Sequence, residues 1–176
     1  NRVQLMSSSA NSLLHLGYII DQNGNARGSY LGSGFDLRSD AYGALRASQG
    51  LYVTTHPKAA NSQPLDVKEA QQQLVTGESL IEAMSGVSEQ HQAESLKEAH
   101  DTMRAFADAT QSSVSGSASG GRTAGGGTGS ANAFKEPVML FGSPSGIAMS
   151  TQQSVHMVAN DHVNVASGQS VHVAAG

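Results

Sequence analysis

The chain has no cysteine and no tryptophan, and only 5% of its 176 residues are aromatic. Without cysteine there are no disulfides, no thiolate zinc sites and no nucleophilic thiol, a composition that fits a reducing compartment. Few aromatics leave little large apolar surface, so a core built by one copy alone would be thin. Cationic residues are scarce too, ten Lys and Arg against fourteen Asp and Glu, for a net charge of −4 that seven histidines would partly offset in mild acid. No stretch interleaves basic with aromatic residues, as a nucleic-acid surface does. Long apolar runs are missing: none approaches the roughly 18 residues of a membrane-spanning helix. The polar start, Asn1-Arg2-Val3, is unlike a signal peptide and lacks an initiating Met, so a piece of a longer protein is expected. What is plentiful is Gly, Ser, Ala and Gln. Together with repeats, that points to an elongated or assembled protein.

Four regions differ in texture. Residues 1–63 read as β, with strand candidates "RVQLMS" and "NSLLHLGYIID" running into "DQNGN", where Asn23-Gly24 is a hairpin signal. Alternation continues in pieces (Phe35 and Leu37, Leu45, Leu51 and Val53) up to Pro57, with Gly28, Gly32, Gly34, Gly43 and Gly50 marking bends or close backbone approaches. Residues 64–110 change period: Val67, Ala70, Leu74, Gly77, Ile81 and Met84 step by three and four, a helical seam. Leu96, Ala99, Met103, Ala107 and Thr110 resume the pattern after a break expected near Ser85-Gly86, which makes an αα-hairpin or a kinked helix. Nine of the fourteen acidic residues fall in this segment against Lys68, Lys97 and Arg104, the mark of a solvated outer face. Residues 111–133 are Gly/Ser-rich and read as a flexible linker, because they bury too little to offset ordering entropy.

Residues 134–176 return to β and keep time in eights: "GIAMSTQQ", "SVHMVAND", "HVNVASGQ", "SVHVAAG". Side chains two apart on a strand share a face. Ile147 and Met149, Val155 and Met157, Val163 and Val165, and Val171 and Val173 therefore form one apolar row, with Ala148, His156, Asn164 and His172 on the opposite, solvent side. Eight residues suit a short strand plus a tight bend. A face of two apolar residues per repeat excludes water only when something packs on it. Other copies of the same chain, wound so that the rows face a shared axis, are the simplest partner, and pairing between copies also removes open sheet edges. The expected fold is mostly β: an intertwined, trimeric, triple-stranded β-helix or prism of octapeptide repeats. It carries a helical hairpin-like insertion docked on its outside.

The run "HLGYIIDQNGNARGSYLGSGFDLRSDAYGALRASQGLYVTTHP", followed by the "DVKEAQQQL" helix and a valine-rich repeating tail, resembles the region after the OB domain in the VgrG family of type VI secretion spike proteins. Its most specific piece is "FDLRSDAYGALRASQGLYVTT", and the order of regions agrees over nearly the whole chain. The octads also resemble those of contractile-phage tail spikes. The resemblance implies a structural homotrimer, not an enzyme. Such a spike sits on a tube of Hcp rings, is tipped by a PAAR protein, assembles in the bacterial cytoplasm and is injected into target cells with effectors or adaptors. The resemblance implies a hub and OB domain before residue 1 and leaves open whether a tip or a fused toxin domain follows residue 176, the toxin-bearing spike being an alternative reading. A trimeric phage tail spike, tail fibre or surface fibre shares the physics of the octads. The "DLRSDAYGALRASQGLYVTT" block and the helical insertion suit the secretion spike better.

Candidate chemistry is sparse. Asp21, Asn23 and Asn25 start like a calcium loop, but Ala26 stands where glycine is needed and Gly32 where a bidentate Glu belongs. "GGRTAGGGTG" has no preceding strand and no Lys-Ser/Thr, so it is not a phosphate loop, and "GSPSG" places Pro144 where a nucleophilic Ser would stand. His156 and His172, two octads apart, would form imidazole rings in a trimer, and they read more simply as solvent-facing. His91 and His100 share a rough side of the helical segment without a carboxylate–His motif in sequence. No catalytic residue, metal ligand or cofactor is assigned.

Overall fold

The computed structural model describes residues 2–115 and 129–175, which fall into two compact units that divide after Arg46. The first is an antiparallel meander of β1 (Arg2–Ser7), β2 (Ser12–Asn23) and β3 (Ala26–Arg38), with β2 in the middle. Asn23 pairs with Ala26, so the hairpin turns on Gly24-Asn25, one residue later than the Asn-Gly signal suggests. Gly24 takes the first central position with a φ of +62°, which a primed turn reserves for glycine. Strand β3 ends at Arg38, and the alternation expected to reach Leu45 leaves the sheet there. The departing chain is held by the Asp40 amide donating to the Ala10 carbonyl at 2.9 Å.

Register decides what this sheet presents. Val3 stands opposite Leu16, which stands opposite Phe35; Leu5, Leu14 and Leu37 make a second row two residues along. Opposed residues share a face, so these six side chains gather on one side while Gln4, His15 and Asp36 point to the other. That apolar face is largely uncovered, Phe35 being 77% exposed.

The second unit contains β4 (Leu51–Thr54), α1 (Lys68–Gln90), α2 (Lys97–Ala109), β5 (Ser112–Ser115), β6 (Ser130–Ala133) and β7 (Met139–Gly142). Strands β4 and β7 pair in parallel, Tyr52 beside Leu140 and Val53 beside Phe141. One face of this ribbon carries Tyr52 and Leu140 into a core of Val67, Ala70, Leu74, Phe106 and Phe134. The other face leaves Val53, Met139 and Phe141 exposed. No helix among the described residues is long and apolar enough to cross a membrane.

Three boundaries differ from the sequence expectation. First, α1 runs straight through Ser85-Gly86, and the break lies at 91–96, where Gln92 turns with a φ of +57°. Gly86 weakens the helix without ending it, while the buried Ser85 accepts the Leu96 amide at 3.0 Å and so anchors the turn it was expected to make. Second, the run expected as a linker over 111–133 is described only at its ends, where β5 and β6 pair antiparallel; residues 116–128 lie outside the described residues. Backbone ladders are indifferent to side-chain polarity, and Gln63 reinforces this one by accepting the Asn132 amide at 2.6 Å. Third, 147–175 form no strand within the chain, because an octad has no neighbouring strand from its own chain to pair with.

Gly50 is held by geometry: its φ is +117°, and a Cβ there would lie 2.3 Å from Phe134 Cδ2, inside the core. Gly86 has open space where its side chain would be. Gly50→Ala is therefore expected to destabilise this unit by about 1–3 kcal/mol, while Gly86→Ala stabilises it by up to about 1 kcal/mol. Thermal unfolding followed by the helical circular dichroism signal checks both signs.

Candidate functional site

The octads carry their period into the backbone. Bends fall at 144–145, 152–153, 160–161 and 168–169, each pair eight residues after the last. Hydroxyls build several of these corners. Ser143 Oγ accepts the amides of Ser145 and Gly146, Thr151 Oγ1 accepts that of Gln153, and Ser167 Oγ accepts that of Gln169, all at 3.2–3.3 Å. Sequence reasoning weighed Ser143 only for nucleophile chemistry and passed over the corner role, although Ser143, Thr151 and Ser167 recur at multiples of eight. Ser143 is thus a corner residue, which also accepts a hydrogen bond from Thr55 Oγ1 at 2.9 Å.

Between corners, the eight residues of the expected row (Ile147, Met149, Val155, Met157, Val163, Val165, Val171 and Val173) are all exposed in the single chain, between 55% and 90%. Strand β7 shows what such a strand does when it has a neighbour. Met139 and Phe141 lie eight residues before Ile147 and Met149, so β7 occupies the same frame. It pairs with β4, leaves Met139 and Phe141 uncovered, and turns Leu140 into the core.

The opposite face meets the helical hairpin at intervals. Ala70 of α1 packs on Gly142, where an added Cβ would lie 3.2 Å from the Ala70 methyl. Seven residues along α1, Gly77 lies over Ala166, where an added Cβ would stand 3.9 Å from the Ala166 methyl. Beside that second seat, Asn164 Nδ2 donates to Thr102 Oγ1 of α2 at 2.9 Å. Asn164, expected in solvent, is therefore half-buried against the hairpin, whereas His156 and His172 in the same slot of other octads are exposed. Gly142 and Ala166 are separated by 24 residues and three bends, so the chain turns three corners before it comes back beneath the same helix.

Polar contacts brace the hairpin. His100 lies between two carboxylates, Nε2 3.3 Å from Glu78 Oε1 on α1 and Nδ1 3.2 Å from Asp101 Oδ1. The histidine partner that no sequence motif announced thus comes from the facing helix. At the root of α1, the Lys58 ammonium donates to both Glu69 oxygens at 2.8 and 2.7 Å and lies 3.1 Å from Asp66 Oδ2. These hydrogen bonds hold the Asp66 and Glu69 carboxyls below their ordinary values and the Lys58 ammonium above its own. Glu69 also sits in the first turn of α1, where a negative charge favours the helix. Among the described residues no three His, Asp or Glu side chains are grouped so as to hold a metal ion.

A family model for the type VI secretion system Rhs element Vgr matches residues 1–88, half of the chain. The chain belongs to the Vgr family. A second family, of uncharacterized proteins conserved in bacteria (DUF2345), matches 126–176. Two Pseudomonas aeruginosa relatives, the type VI secretion system spike proteins VgrG2b and VgrG2a, are each 32% identical over 173 residues, 98% of this chain. The chain spans only 16% and 19% of their length. Two solved structures share the fold at 20% identity: the VgrG spike from the type 6 secretion system, with a TM-score of 0.73, and the Tle1 effector bound to that spike, with 0.75. Both cover 99% of this chain, which in turn covers 57% and 47% of theirs. The fold of this Vgr region is therefore that of the spike structures, mostly strands with two helices.

The Lys58 cluster sets a pH window. The lowered carboxyls stabilise the folded state above their unfolded values, 3.8 for Asp66 and 4.5 for Glu69, and that contribution is lost as pH falls through the lower folded values. The raised ammonium contributes below its unfolded 10.5 and loses this as pH rises through its higher folded value. Lys58→Met should therefore lower the melting temperature most at neutral pH. The gap to the parent should close below about pH 3 and above about pH 11, read by calorimetry across the range.

Proposed function

We propose that the chain is the shaft region of a homotrimeric type VI secretion spike. Its octads form a three-sided prism with Ile147, Met149, Val155, Met157, Val163, Val165, Val171 and Val173 lining the axis. One observation carries this reading: the chain turns three corners before returning beneath its own α1, with its apolar row left uncovered all the way. A path with three corners per circuit has a triangular cross-section, and three copies wound together supply the missing strands and cover the row. The uncovered apolar rows of the first unit, Val3-Leu16-Phe35 and Leu5-Leu14-Leu37, also call for a partner surface.

In this reading the domains divide as an N-terminal β part (1–63), a helical insertion (64–110), a Gly/Ser-rich connection (111–133) and the octad shaft (134–176). The spike rides on an Hcp tube, carries a PAAR tip and delivers effectors or adaptors into a target cell after assembly in the bacterial cytoplasm. The effector-bound relative supports the delivery part. The work is mechanical: a stiff trimer with no open sheet edge withstands the load of being pushed through an envelope. The family membership favours this over a phage tail spike, tail fibre or surface fibre.

Light scattering at micromolar concentration should give three times the mass of one chain; a cooperative, folded monomer contradicts the reading. Val163→Asp should then destabilise far more than His156→Asp. Each copy loses buried methyls worth roughly 0.5–1.5 kcal/mol apiece, and three carboxylates meet at one dry level. Equal melting temperatures for the two variants would place the axis on the wrong face.

A further inference from the structure

The seam of α1 is longer than its own chain fills. Val67, Ala70 and Leu74 pack in the core, Gly77 seats Ala166, and Ile81 is buried, but Met84, one heptad beyond Gly77, is 53% exposed. Residues seven apart share a helix face, so Met84 faces the same way as the Ala70 and Gly77 seats. There it borders an apolar groove of about 410 Å³ whose hairpin wall is Ile81, Met84, Leu96 and Ala99, and whose other wall is the octad stretch around Asn164 and Ala166.

The length of α1 explains why one chain leaves this groove open. From Gly77 to Gln90 the helix continues for about 20 Å, while neighbouring strands of a sheet lie about 4.8 Å apart. The face beneath that stretch therefore has room for several strands. The chain's own octads return to it only every third corner, and residues 163–167, on the wall of the groove, join no ladder within the chain. The seats themselves carry the same message. Ala70 and Gly77 are separated by about 10.5 Å of helix, more than two strand spacings, so the two octads they hold are not neighbours in a sheet.

Resting on the trimeric reading above, we infer that the hairpin of one copy is a clamp across copies: the groove at Met84 holds an octad strand of a second copy. The occupant is a copy of this chain because the groove prolongs, on its own axis, a wall of octad residues whose backbone edge is open to pairing. It needs a strand whose outward face is small where the helix crosses it, and Ser150 and Ala174 hold, in other octads, the slot that Ala166 fills beneath Gly77. The small pairs Ala70 with Gly142 and Gly77 with Ala166 fix the hairpin on its own chain, and Met84 then reaches the neighbour. Three such hairpins would interlock the trimer from outside while the valine row holds it from within.

The absence of cysteine makes the test direct, since a single introduced thiol is the only one in the chain. Met84→Cys, half-exposed and so tolerant of change, is labelled with a thiol-reactive benzophenone in trimers assembled from mixed light and nitrogen-15-labelled chains. Irradiation is expected to join position 84 to an octad peptide of the other isotope, in the proportion that random mixing sets for contacts between copies. Glu82→Cys, exposed and about half a helical turn away from Met84, serves as the control and should give no octad product. A protein of trimeric mass whose products from position 84 are all of one isotope, or are absent, overturns the clamp while leaving the trimer standing. A monomeric mass overturns both.

Discussion

A strand with two apolar residues on one face cannot keep that face dry by itself, and the rest of this molecule follows from that constraint. Eight residues are enough for one short strand and one corner, and too few to fold back and cover the row they expose. The chain repeats this unfinished unit. Every octad carries Val, Ile or Met at the same two positions, and every one of these side chains is left uncovered in the single copy. The same incompleteness appears in the first unit, where three well-paired strands place Val3, Leu5, Leu14, Leu16, Phe35 and Leu37 on one face that stays largely exposed. An architecture of this kind stores its main hydrophobic gain for association. In the trimer proposed above, folding and assembly would be one event.

The helical hairpin solves the opposite problem. The octad residues that meet the hairpin are small or polar and would bind nothing strongly, so the chain fixes them with close packing and one directional bond. Gly142 and Ala166 admit the helix to within contact of its own Ala70 and Gly77, and Asn164 ties the second seat to Thr102. The hairpin is in turn rooted by Lys58 at its start and closed by Ser85 beneath its turn. Registration between helix and octads is therefore set by side chains too small to be conspicuous.

That smallness explains what was legible in the sequence. The period of eight and the helical segment could be read because they rest on repeated contrast between apolar and polar residues. The hydroxyl corners rest on a repeat as well, Ser143, Thr151 and Ser167, yet serine and threonine are so frequent in this chain that the rhythm is masked. The pairing of "SSVS" with "SANA" was opaque for a different reason, since its ladder is pure backbone. The break of the helical segment was misplaced because Ser85-Gly86 has the composition of a turn, while its function is to sit beneath one. Asn164 looked identical in rank to His156 and His172. Only the geometry of three corners shows that its octad, and not theirs, returns to the hairpin.

The central claim is that the octads acquire their strand structure between copies. Amide hydrogen exchange over residues 146–175 tests it most directly, because none of these residues lies in a ladder within the chain. At concentrations where the protein has trimeric mass, their amides should exchange as slowly as those of the hairpin helices, and protection should be lost on dilution or in Val163→Asp. Octad amides that exchange at free-peptide rates while α1 and α2 stay protected would contradict the account.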